Sequence, residues 1–371
     1  MPRILHAYKV YRPEIEGGIP AIIRTLVEGL GEPFRHQLLV ARRHGRGRRD
    51  DIDGVPVRRV ASLGTLLSLP LAPGYPAALA RAASGADLVA MHAPFPLGDA
   101  GLLLVRDRPV VVHWHAEIAR QRWLRPIYRP ALQRMLTRAA AIVVAHPRNA
   151  ATSVDLAPHA DRIRVVPYGL DPAPWLEETP AFDGPPRGRP LFVAVGRLVG
   201  YKGYDILIRA AKAVEAEVVI CGTGADEPAL RRQIAAADLG DRVRIEGFVP
   251  HDRLKRLLKA ARALVLPSIT TAEAFGLVQV EAMFCGRAVI NTALPTAVPW
   301  VARDGREALT VPPADAAALA GAMQRLAGDP ALATGLGRAG RERALARFSA
   351  AAFCAAIGDV YAEVLAGAGR A

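Results

Sequence analysis

The chain has 371 residues, of which 51% are hydrophobic and 22% charged, with a formal charge of +13. At about 100 to 200 residues per domain this length suggests two domains, and the balance excludes a disordered chain, a collagen or a disulfide-framed mini-protein. Residues 1–170 hold 24 Lys and Arg against 13 Asp and Glu, whereas the remainder holds 24 against 22, so the basic field belongs to the first half and suits nucleic acid, an acidic membrane surface or a phosphorylated substrate.

In chain order, Met1 leads straight into a strand-like Ile4-Leu5 with no apolar signal segment. No apolar run is read as reaching the roughly 18 to 20 residues of a spanning helix, so a cytoplasmic chain is expected. Strands are predicted at Arg3 to Ala7, Gln37 to Ala41, Val55 to Val60, Asp87 to His92, Pro109 to His113, Ala141 to Ala145 and Arg164 to Pro167, with helical patterns between them. From Asp171 to Pro190 six prolines interrupt the pattern, which reads as a linker over 171–190 between an N-terminal domain, 1–170, and a second domain, 191–349. Strands resume at Leu191 to Val195, Glu217 to Cys221, Arg242 to Gly247, Ala263 to Pro267, Ala288 to Asn291 and Leu309 to Val311. Alternating strands and helices in both halves predict an α/β protein of two doubly wound, Rossmann-like domains facing across a cleft. Such sheets bind ligands outside the carboxyl ends of their strands. Cys221, Cys285 and Cys354 are an odd, widely spaced set without C-x-x-C, and they read as small core residues.

Several residue groups have the chemistry for a site. Gly17-Gly18, between the first strand and a helix, would let backbone N–H groups approach a phosphate, although a tight turn uses the same pair. Asp51-Ile52-Asp53 follows an arginine-rich turn and is read as surface charge balance. His113 and His115 lie at i and i+2 at a strand's carboxyl end, on one face, where substrate contact is more plausible than a metal dyad without a third ligand. From Arg120 onward Arg122, Arg125 and Arg129 interleave with Trp123, Leu124, Ile127 and Tyr128. That pattern fits an element resting on anionic lipid headgroups and equally a solvated basic helix face, and the apolar Leu63 to Tyr75 loop would add to the first.

In the second half, Arg197 and Lys202 bracket the loop after the first strand, and Lys202 is one of only five lysines in the chain. Two fixed cations there could neutralise a departing diphosphate, as preorganised dipoles serve oxyanions elsewhere. Gly222-Thr223-Gly224 lacks the third glycine of a dinucleotide fingerprint, so NAD is not expected. Glu273 and Glu281 are eight residues apart. If helical rise applied they would stand about 12 Å apart, too far for a paired-carboxylate hydrolase and suited to two ends of one extended ligand. Amides at Phe275, Gly276 and Leu277 would then present a helix N-terminus to phosphates between them.

Taken together and in order, Gly17-Gly18, His113-Trp114-His115, Val166 to Asp171 (VPYGLD), Gly196 to Gly203, Gly222-Thr223-Gly224, Glu246 to Val249 (EGFV), Glu273-x7-Glu281 and Asp304-Gly305 to Pro313 resemble the family 4 retaining glycosyltransferases of the GT-B fold. Within that family the chain is most similar to bacterial transferases that build O-antigen and related polysaccharides, many of them mannosyltransferases using GDP-sugars. The resemblance implies an acceptor domain, a nucleotide-sugar domain and a last helix, 350–371, crossing back to the first. It assigns Arg197 and Lys202 to the donor diphosphate, Glu273 and His115 to the transferred sugar, and Glu281 to the ribose. Phe248 and Val249 would meet the base, and Gly17, Gly18, Gly222 and Gly224 would lie near the donor.

The partners so implied are a nucleotide-sugar donor, a lipid-linked or glycan acceptor and the anionic inner face of the cytoplasmic membrane, with no metal, no other cofactor and no nucleic acid. GDP-mannose is the first expectation, GDP-rhamnose or a UDP-hexose the next, and a phosphorylase or a non-catalytic anion-binding or nucleic-acid-binding protein the rival readings. The chain departs from the family pattern at Ala297 and Ala308, where glycine is usual, at Ala116-Glu117, where Ser-Asp is more common, and at His146, where a small hydroxyl residue is usual. Alanine resists positive φ, so the first two put phosphate contacts from the 295–299 loop in question.

Overall fold

The computed structural model describes residues 1–15, 18–66, 69–115, 125–180 and 188–368. The chain divides into two compact units, the first made of Met1–Gly169 with Ala350–Ala371 and the second of Leu170–Ser349.

Among the described residues unit 1 has ten strands: β1 Arg3–Tyr8, β2 Arg35–Ala41, β3 Arg48–Ile52, β4 Val55–Val60, β5 Thr65–Leu66, β6 Leu69–Pro70, β7 Leu88–Ala93, β8 Val110–Trp114, β9 Ala141–Val144 and β10 Ile163–Val165. Eight of them form one sheet in the order β10-β9-β8-β7-β1-β2-β4-β3. All its pairings are parallel except β3 with β4. Central strands β7 and β8 are buried along their whole length, which is why they read as continuous apolar runs. The order reverses between β1 and β7, so the carboxyl ends of those strands frame the position where doubly wound sheets bind ligands.

The antiparallel edge strand was not expected. Asp53 (φ 54°) and Gly54 (φ 79°) form a two-residue turn joining β3 to β4, and Asp-Gly is the sequence signal for such a hairpin. Asp51-Ile52-Asp53 thus ends a strand and turns it, where the sequence suggested charge balance alone. Behind this ribbon the Arg59 side chain is fully buried. Its guanidinium pairs with Asp50 and approaches Glu14 at 3.9 Å, and it donates to the carbonyls of Tyr11 (3.3 Å) and Arg12. Burial would raise the Glu14 acid, but the Arg43 amide and the Arg42 guanidinium bind its oxygens and hold it below the usual range.

Unit 2 carries β11 Leu191–Val195, β12 Glu217–Cys221, β13 Val243–Gly247, β14 Ala263–Val265, β15 Ala288–Thr292 and β16 Ala308–Val311. All are parallel in the order β13-β12-β11-β14-β15-β16, the 3-2-1-4-5-6 arrangement whose reversal lies between the first and fourth strands. The segment expected to be linker belongs in part to this unit. A turn of helix at Ala173–Leu176 buries Trp175, whose ring centroid lies 4.5 Å from that of His251, and Glu177 pairs with Lys255 at 2.9 Å. Prolines and an aromatic anchor fix this stretch where composition suggested a free connection. Residues 181–187 of the expected linker lie outside the described residues.

The last helix, Ala350–Ala368, corrects another expectation, because its length and mean hydropathy of 1.4 reach those of a spanning segment. Here Phe353, Cys354, Ile357, Val360, Tyr361 and Val364 are buried within unit 1, and Cys354 approaches the Thr25 carbonyl of helix Gly18–Gly29 at 3.4 Å. All three cysteines are buried thiols.

Removing the buried cation at Arg59 would leave the Tyr11 and Arg12 carbonyls without this donor and Asp50 with Arg48 (3.1 Å) alone. Arg59→Leu is expected to lower unit 1 stability by about 3–5 kcal/mol in urea unfolding, and a loss under about 1 kcal/mol would show that the ion pair is not structural.

Candidate functional site

The reversal between β11 and β14 brings together residues distant in sequence. Arg197 and Lys202 follow β11, and Ser268 and Glu273 follow β14. Lys202 Nζ lies 2.5 Å from Glu273 Oε2, which also accepts from Ser268 Oγ at 3.0 Å. Glu273 is buried, and the ammonium sits 5.5 Å from the Tyr201 ring centroid. Arg197, by contrast, is exposed, and its side chain has no hydrogen bond or ion pair among the described residues. One cation is therefore fixed against a carboxylate and the other is available to a ligand.

Glycines make this convergence possible. At Gly203, φ is 69° and a Cβ would come within 2.1 Å of the Pro267 carbonyl oxygen, so the loops after β11 and β14 touch through their backbones. A Cβ on Gly222 would lie 1.9 Å from the Gly196 oxygen, and one on Gly224 would lie 2.2 Å from the Leu198 oxygen. Both glycines expected to face phosphate are thus required first for loop-on-loop packing. Tyr204 places its buried hydroxyl beneath Gly196, without a hydrogen-bond partner among the described residues.

The helix expected to span Glu273 and Glu281 begins later. It covers Leu277–Phe284 and is entered through Gly276 at φ 71°, ψ 59°, so helical rise does not connect the two glutamates. Phe275 is buried edge-to-face on Phe348, and Gly276 has no room for a side chain against Leu266 and Gln279. Leu277 is half-buried at the first helical position. Glu281 is half-buried, its carboxyl has no hydrogen-bonding partner among the described residues, and burial pushes its acid up to about 7.

Beneath this helix lies a polar network that sequence reasoning missed. Gln279 Oε1 accepts from Asn291 Nδ2 at 2.8 Å, Asn291 Nδ2 also donates to the Ala302 carbonyl at 2.9 Å, and Thr310 Oγ1 donates to Asn291 Oδ1 at 2.7 Å. Thr292 donates to the Ser268 carbonyl at 2.7 Å, tying the loop of Glu273 to β15. A lone Asn at the end of an apolar strand was the only available signal. After β13, Phe248 is 81% exposed and Val249 half-buried. The two departures from glycine carry no strain: Ala297 sits at φ −70°, ψ −14°, and Ala308 begins β16 without a positive φ.

In unit 1, His113 and His115 are both buried, and neither stands alone. His115 Nε2 lies 2.9 Å from His92 Nδ1, and its Nδ1 lies 2.8 Å from the Tyr168 hydroxyl. His92 Nε2 meets His6 Nδ1 at 3.1 Å, and His6 Nε2 meets His36 Nδ1 at 2.9 Å. His113 stacks on His92 at 4.7 Å and bonds the Tyr361 hydroxyl at 2.8 Å. Both ring nitrogens of His115, the residue expected at the transferred sugar, thus have internal partners. Burial pushes His113 down to about 3. Burial together with His113 does the same to His115, and His6 and His92 are held well below the ordinary range by burial and by their neighbours' rings.

Other expected residues are placed less centrally. Gly18 is exposed at the start of its helix, and Gly17, Arg122 and Trp123 lie outside the described residues. Arg125 opens the helix Arg125–Arg138, while Arg129 pairs with Asp155 at 3.3 Å and is not simply a free surface cation. His146 caps the helix Pro147–Thr152, its Nδ1 accepting from the Arg148 amide at 3.1 Å. Among the described residues no cluster of metal-binding side chains is found. A cavity of about 1190 Å³ in unit 2 opens beside Leu191, Arg262 and Arg287, at the amino ends of the strands, and is not the Lys202–Glu273 site.

Comparison with known proteins agrees with this geometry. Residues 17–169 match the family described as glycosyl transferase 4-like domain, and residues 177–343 match glycosyl transferases group 1. The chain is 32% identical to the D-rhamnosyltransferase WbpZ of Pseudomonas aeruginosa, covering 94% of this chain and 92% of that protein. It is 28% identical to O-antigen chain mannosyltransferase C of Escherichia coli, over 98% and 99%. Among solved structures, sucrose-phosphate synthase from Thermosynechococcus elongatus superposes with a TM-score of 0.81 at 23% identity, over 99% and 100% of the chains. Anabaena Alr3699/HepE in complex with UDP superposes with a TM-score of 0.78 at 19% identity, over 97% and 100%.

The buried histidines set a pH window. Their folded pKa values lie below the unfolded value near 6.5, so the unfolded chain binds more protons between the two. Their contribution is complete above pH ~6.5 and falls by about 1.4 kcal/mol per group per pH unit below it. Glu281 has the opposite sign, because its raised pKa makes unit 2 gain stability as pH falls from about 7 toward the ordinary carboxyl range. Hydrogen exchange is expected to show unit 1 strand amides opening between pH 6.5 and 5 while unit 2 holds. Equal protection of both units at pH 5 would contradict this.

Proposed function

The chain belongs to the family 4 glycosyltransferases of the GT-B fold, and from that premise we propose that it moves a hexose, mannose first, from a guanosine diphosphate sugar to a lipid-linked or glycan acceptor with retention of configuration. The observation that carries this reading is the Lys202–Glu273–Ser268 contact beside Arg197 at the strand-order reversal of unit 2. A diphosphate needs cations and a hexose needs hydrogen-bond acceptors, and these side chains supply both within one loop cluster. Mannose and D-rhamnose, its 6-deoxy form, share a ring configuration. The similarity to a D-rhamnosyltransferase and to an O-antigen mannosyltransferase supports a donor of that shape and a role in bacterial surface polysaccharide synthesis.

In the proposed reaction the bond from the anomeric carbon to the diphosphate oxygen breaks as the acceptor oxygen bonds to the same face of that carbon. The acceptor's proton passes to a departing diphosphate oxygen. Arg197 and Lys202 stabilise the charge that accumulates on the diphosphate, which assigns to side chains a task a metal performs elsewhere. Because Lys202 is held against Glu273, an arriving phosphate shares that ammonium, and Glu273 accepts from the sugar hydroxyls. Glu281, whose carboxyl has no protein partner among the described residues, accepts from the ribose hydroxyls, and the exposed Phe248 ring stacks on the base. Unit 1 serves the acceptor.

Lys202→Ala and Glu273→Ala are each expected to lower kcat/KM by about 10² to 10³ while leaving far-UV circular dichroism unchanged. Near-normal turnover in either would refute its role. Saturation-transfer NMR with GDP and UDP decides the base, and binding of neither defeats the reading. An anomeric proton signal in the product of opposite configuration to the donor defeats retention.

A peripheral position on the anionic inner face of the cytoplasmic membrane is supported by the arginine and aromatic run from Arg120 to Arg129 and by the exposed Leu63, Leu66 and Leu71 around the β5–β6 ribbon. Replacing Arg122, Arg125 and Arg129 together with Gln is expected to weaken co-sedimentation with phosphatidylglycerol vesicles several-fold. Unchanged co-sedimentation would reject the membrane role.

A further inference from the structure

The cavity of about 1190 Å³ at the amino ends of the unit 2 strands is walled mostly by cations. Among the described residues its wall holds seven Lys and Arg against two Glu, whereas residues 171–371 as a whole hold 24 against 22. Three elements supply the charge. Arg262 and Arg287 immediately precede Ala263 and Ala288, which are paired at the first positions of β14 and β15, so the two arginines enter the sheet side by side with their backbones about 4.8 Å apart. Arg256 and Lys259 are i and i+3 on the helix His251–Ala260, and Arg338 and Arg341 are i and i+3 on the helix Pro330–Arg347. That spacing puts each pair on one helix face. The second of these helices is pressed against the entry to β15, since a Cβ on Gly337 would lie 2.2 Å from the Gly286 carbonyl oxygen.

Little protein charge offsets these groups. Arg189, the seventh cation, pairs with Glu215 at 2.5 Å and Asp241 at 2.9 Å, and of the two acids in the wall Glu217 pairs with Arg244 at 3.1 Å while Glu178 is exposed. Lys259 donates to the Glu177 carbonyl. The side chains of Arg256, Arg262, Arg287, Arg338 and Arg341 have no hydrogen bond or ion pair among the described residues, and for Arg256 and Arg287 the Nε is a buried atom. Helix ends supply part of the compensation. The helices His251–Ala260 and Leu277–Phe284 end at the cavity, and two carbonyl termini together amount to about one negative charge. One charge does not match an excess of five. Residues 181–187, outside the described residues, carry one Asp and one Arg, whose charges cancel. Burial pulls the Arg287 guanidinium below its ordinary range, and the Arg262 charge acts in the same direction.

We propose that this cavity is a binding site for a soluble oligophosphate, a chain of two or more phosphoryl groups with at least three negative charges, and that it is separate from the donor diphosphate site. A guanidinium fork matches phosphate oxygens two at a time, so three pairs of cations around a space far larger than one phosphate suit a chain of phosphoryl groups better than a single ion. The separation follows from the sheet. Arg197 and Lys202 follow the carboxyl end of β11, while Leu191 in the cavity wall stands at its amino end, and a five-residue strand of about 13 Å lies between them. The site does not depend on the transferase reading.

Calorimetric titration of the full chain with sodium tripolyphosphate, in EDTA and near physiological ionic strength, tests the proposal. Saturable binding is expected in the wild type and also in the Arg197→Ala, Lys202→Ala pair, in which the donor site has lost its cations. Loss of all binding in that pair would place the probe at the donor site and overturn the proposal. In the same background Arg338→Gln with Arg341→Gln, both at exposed positions, is expected to weaken binding at least about 10-fold, as is Arg262→Gln with Arg287→Gln. If the half-buried Arg262 and Arg287 pair does not fold when replaced, the exposed pair decides alone, and unchanged affinity there overturns the proposal. Orthophosphate is expected to bind at least about 10-fold more weakly than tripolyphosphate, and equal affinity would reduce the site to one for a single ion. Phosphatidylglycerol vesicles form the last arm: co-sedimentation that depends on Arg338 and Arg341, without tripolyphosphate binding, would give the cavity to a lipid surface and defeat a soluble ligand.

Discussion

Backbone contact between loops at the carboxyl edge of unit 2 is the constraint from which its site follows. Gly196, Gly203, Gly222 and Gly224 lie where a Cβ would strike a neighbour, in three cases a carbonyl oxygen closer than 2.5 Å. With side chains there the loops after β11, β12 and β14 would be forced apart, and Lys202 could not reach Glu273 at 2.5 Å. Beneath the loops, Thr292 ties the Ser268 carbonyl to β15, and the buried Gln279–Asn291 pair anchors the start of the next helix. Gln279, Asn291, Thr292 and Thr310 are all hydrogen-bonded there, which is the condition for a buried network to rigidify rather than destabilise, while the Tyr204 hydroxyl beneath Gly196 has no partner among the described residues.

The two units carry opposite electrostatics at the carboxyl ends of their strands. Unit 2 keeps formal charges at its strand ends: an ammonium against a carboxylate, a guanidinium unpaired among the described residues and a half-buried acid whose proton affinity is raised. Unit 1, despite holding most of the chain's excess positive charge, places neutral imidazoles and phenols at the same topological position. Fixed charge suits a diphosphate. Two arginines of unit 1 meanwhile hold its framework, Arg59 against Asp50 and Arg129 against Asp155.

Much of the architecture was legible because parallel strands buried on both faces must be apolar throughout, as Leu88–Ala93 and Glu217–Cys221 very nearly are. The edge strand Arg48–Ile52 escaped because its exposed positions carry Arg and Asp, although the Asp53-Gly54 turn announced it. Lys202 and Glu273 were legible as residue types in marked loops, but their contact across 71 residues depends on β11 lying beside β14, which no local pattern encodes. The helical spacing assumed between Glu273 and Glu281 failed at Gly276, whose left-handed backbone starts the helix only at Leu277. His113 and His115 were visible as a pair. Their link to His92, His6 and His36 was not, since it joins four strands, and the only trace in sequence is a histidine within each otherwise apolar run.

The most direct test of the account is calorimetric titration of the full chain with GDP-mannose in buffer containing EDTA, for the wild type and for the Arg197→Ala, Lys202→Ala pair. Saturable wild-type binding that weakens at least about 10-fold when the two cations are removed is the predicted result, in keeping with charge-assisted hydrogen bonds to phosphate. Equal affinity in both proteins would contradict the assignment of the diphosphate to Arg197 and Lys202.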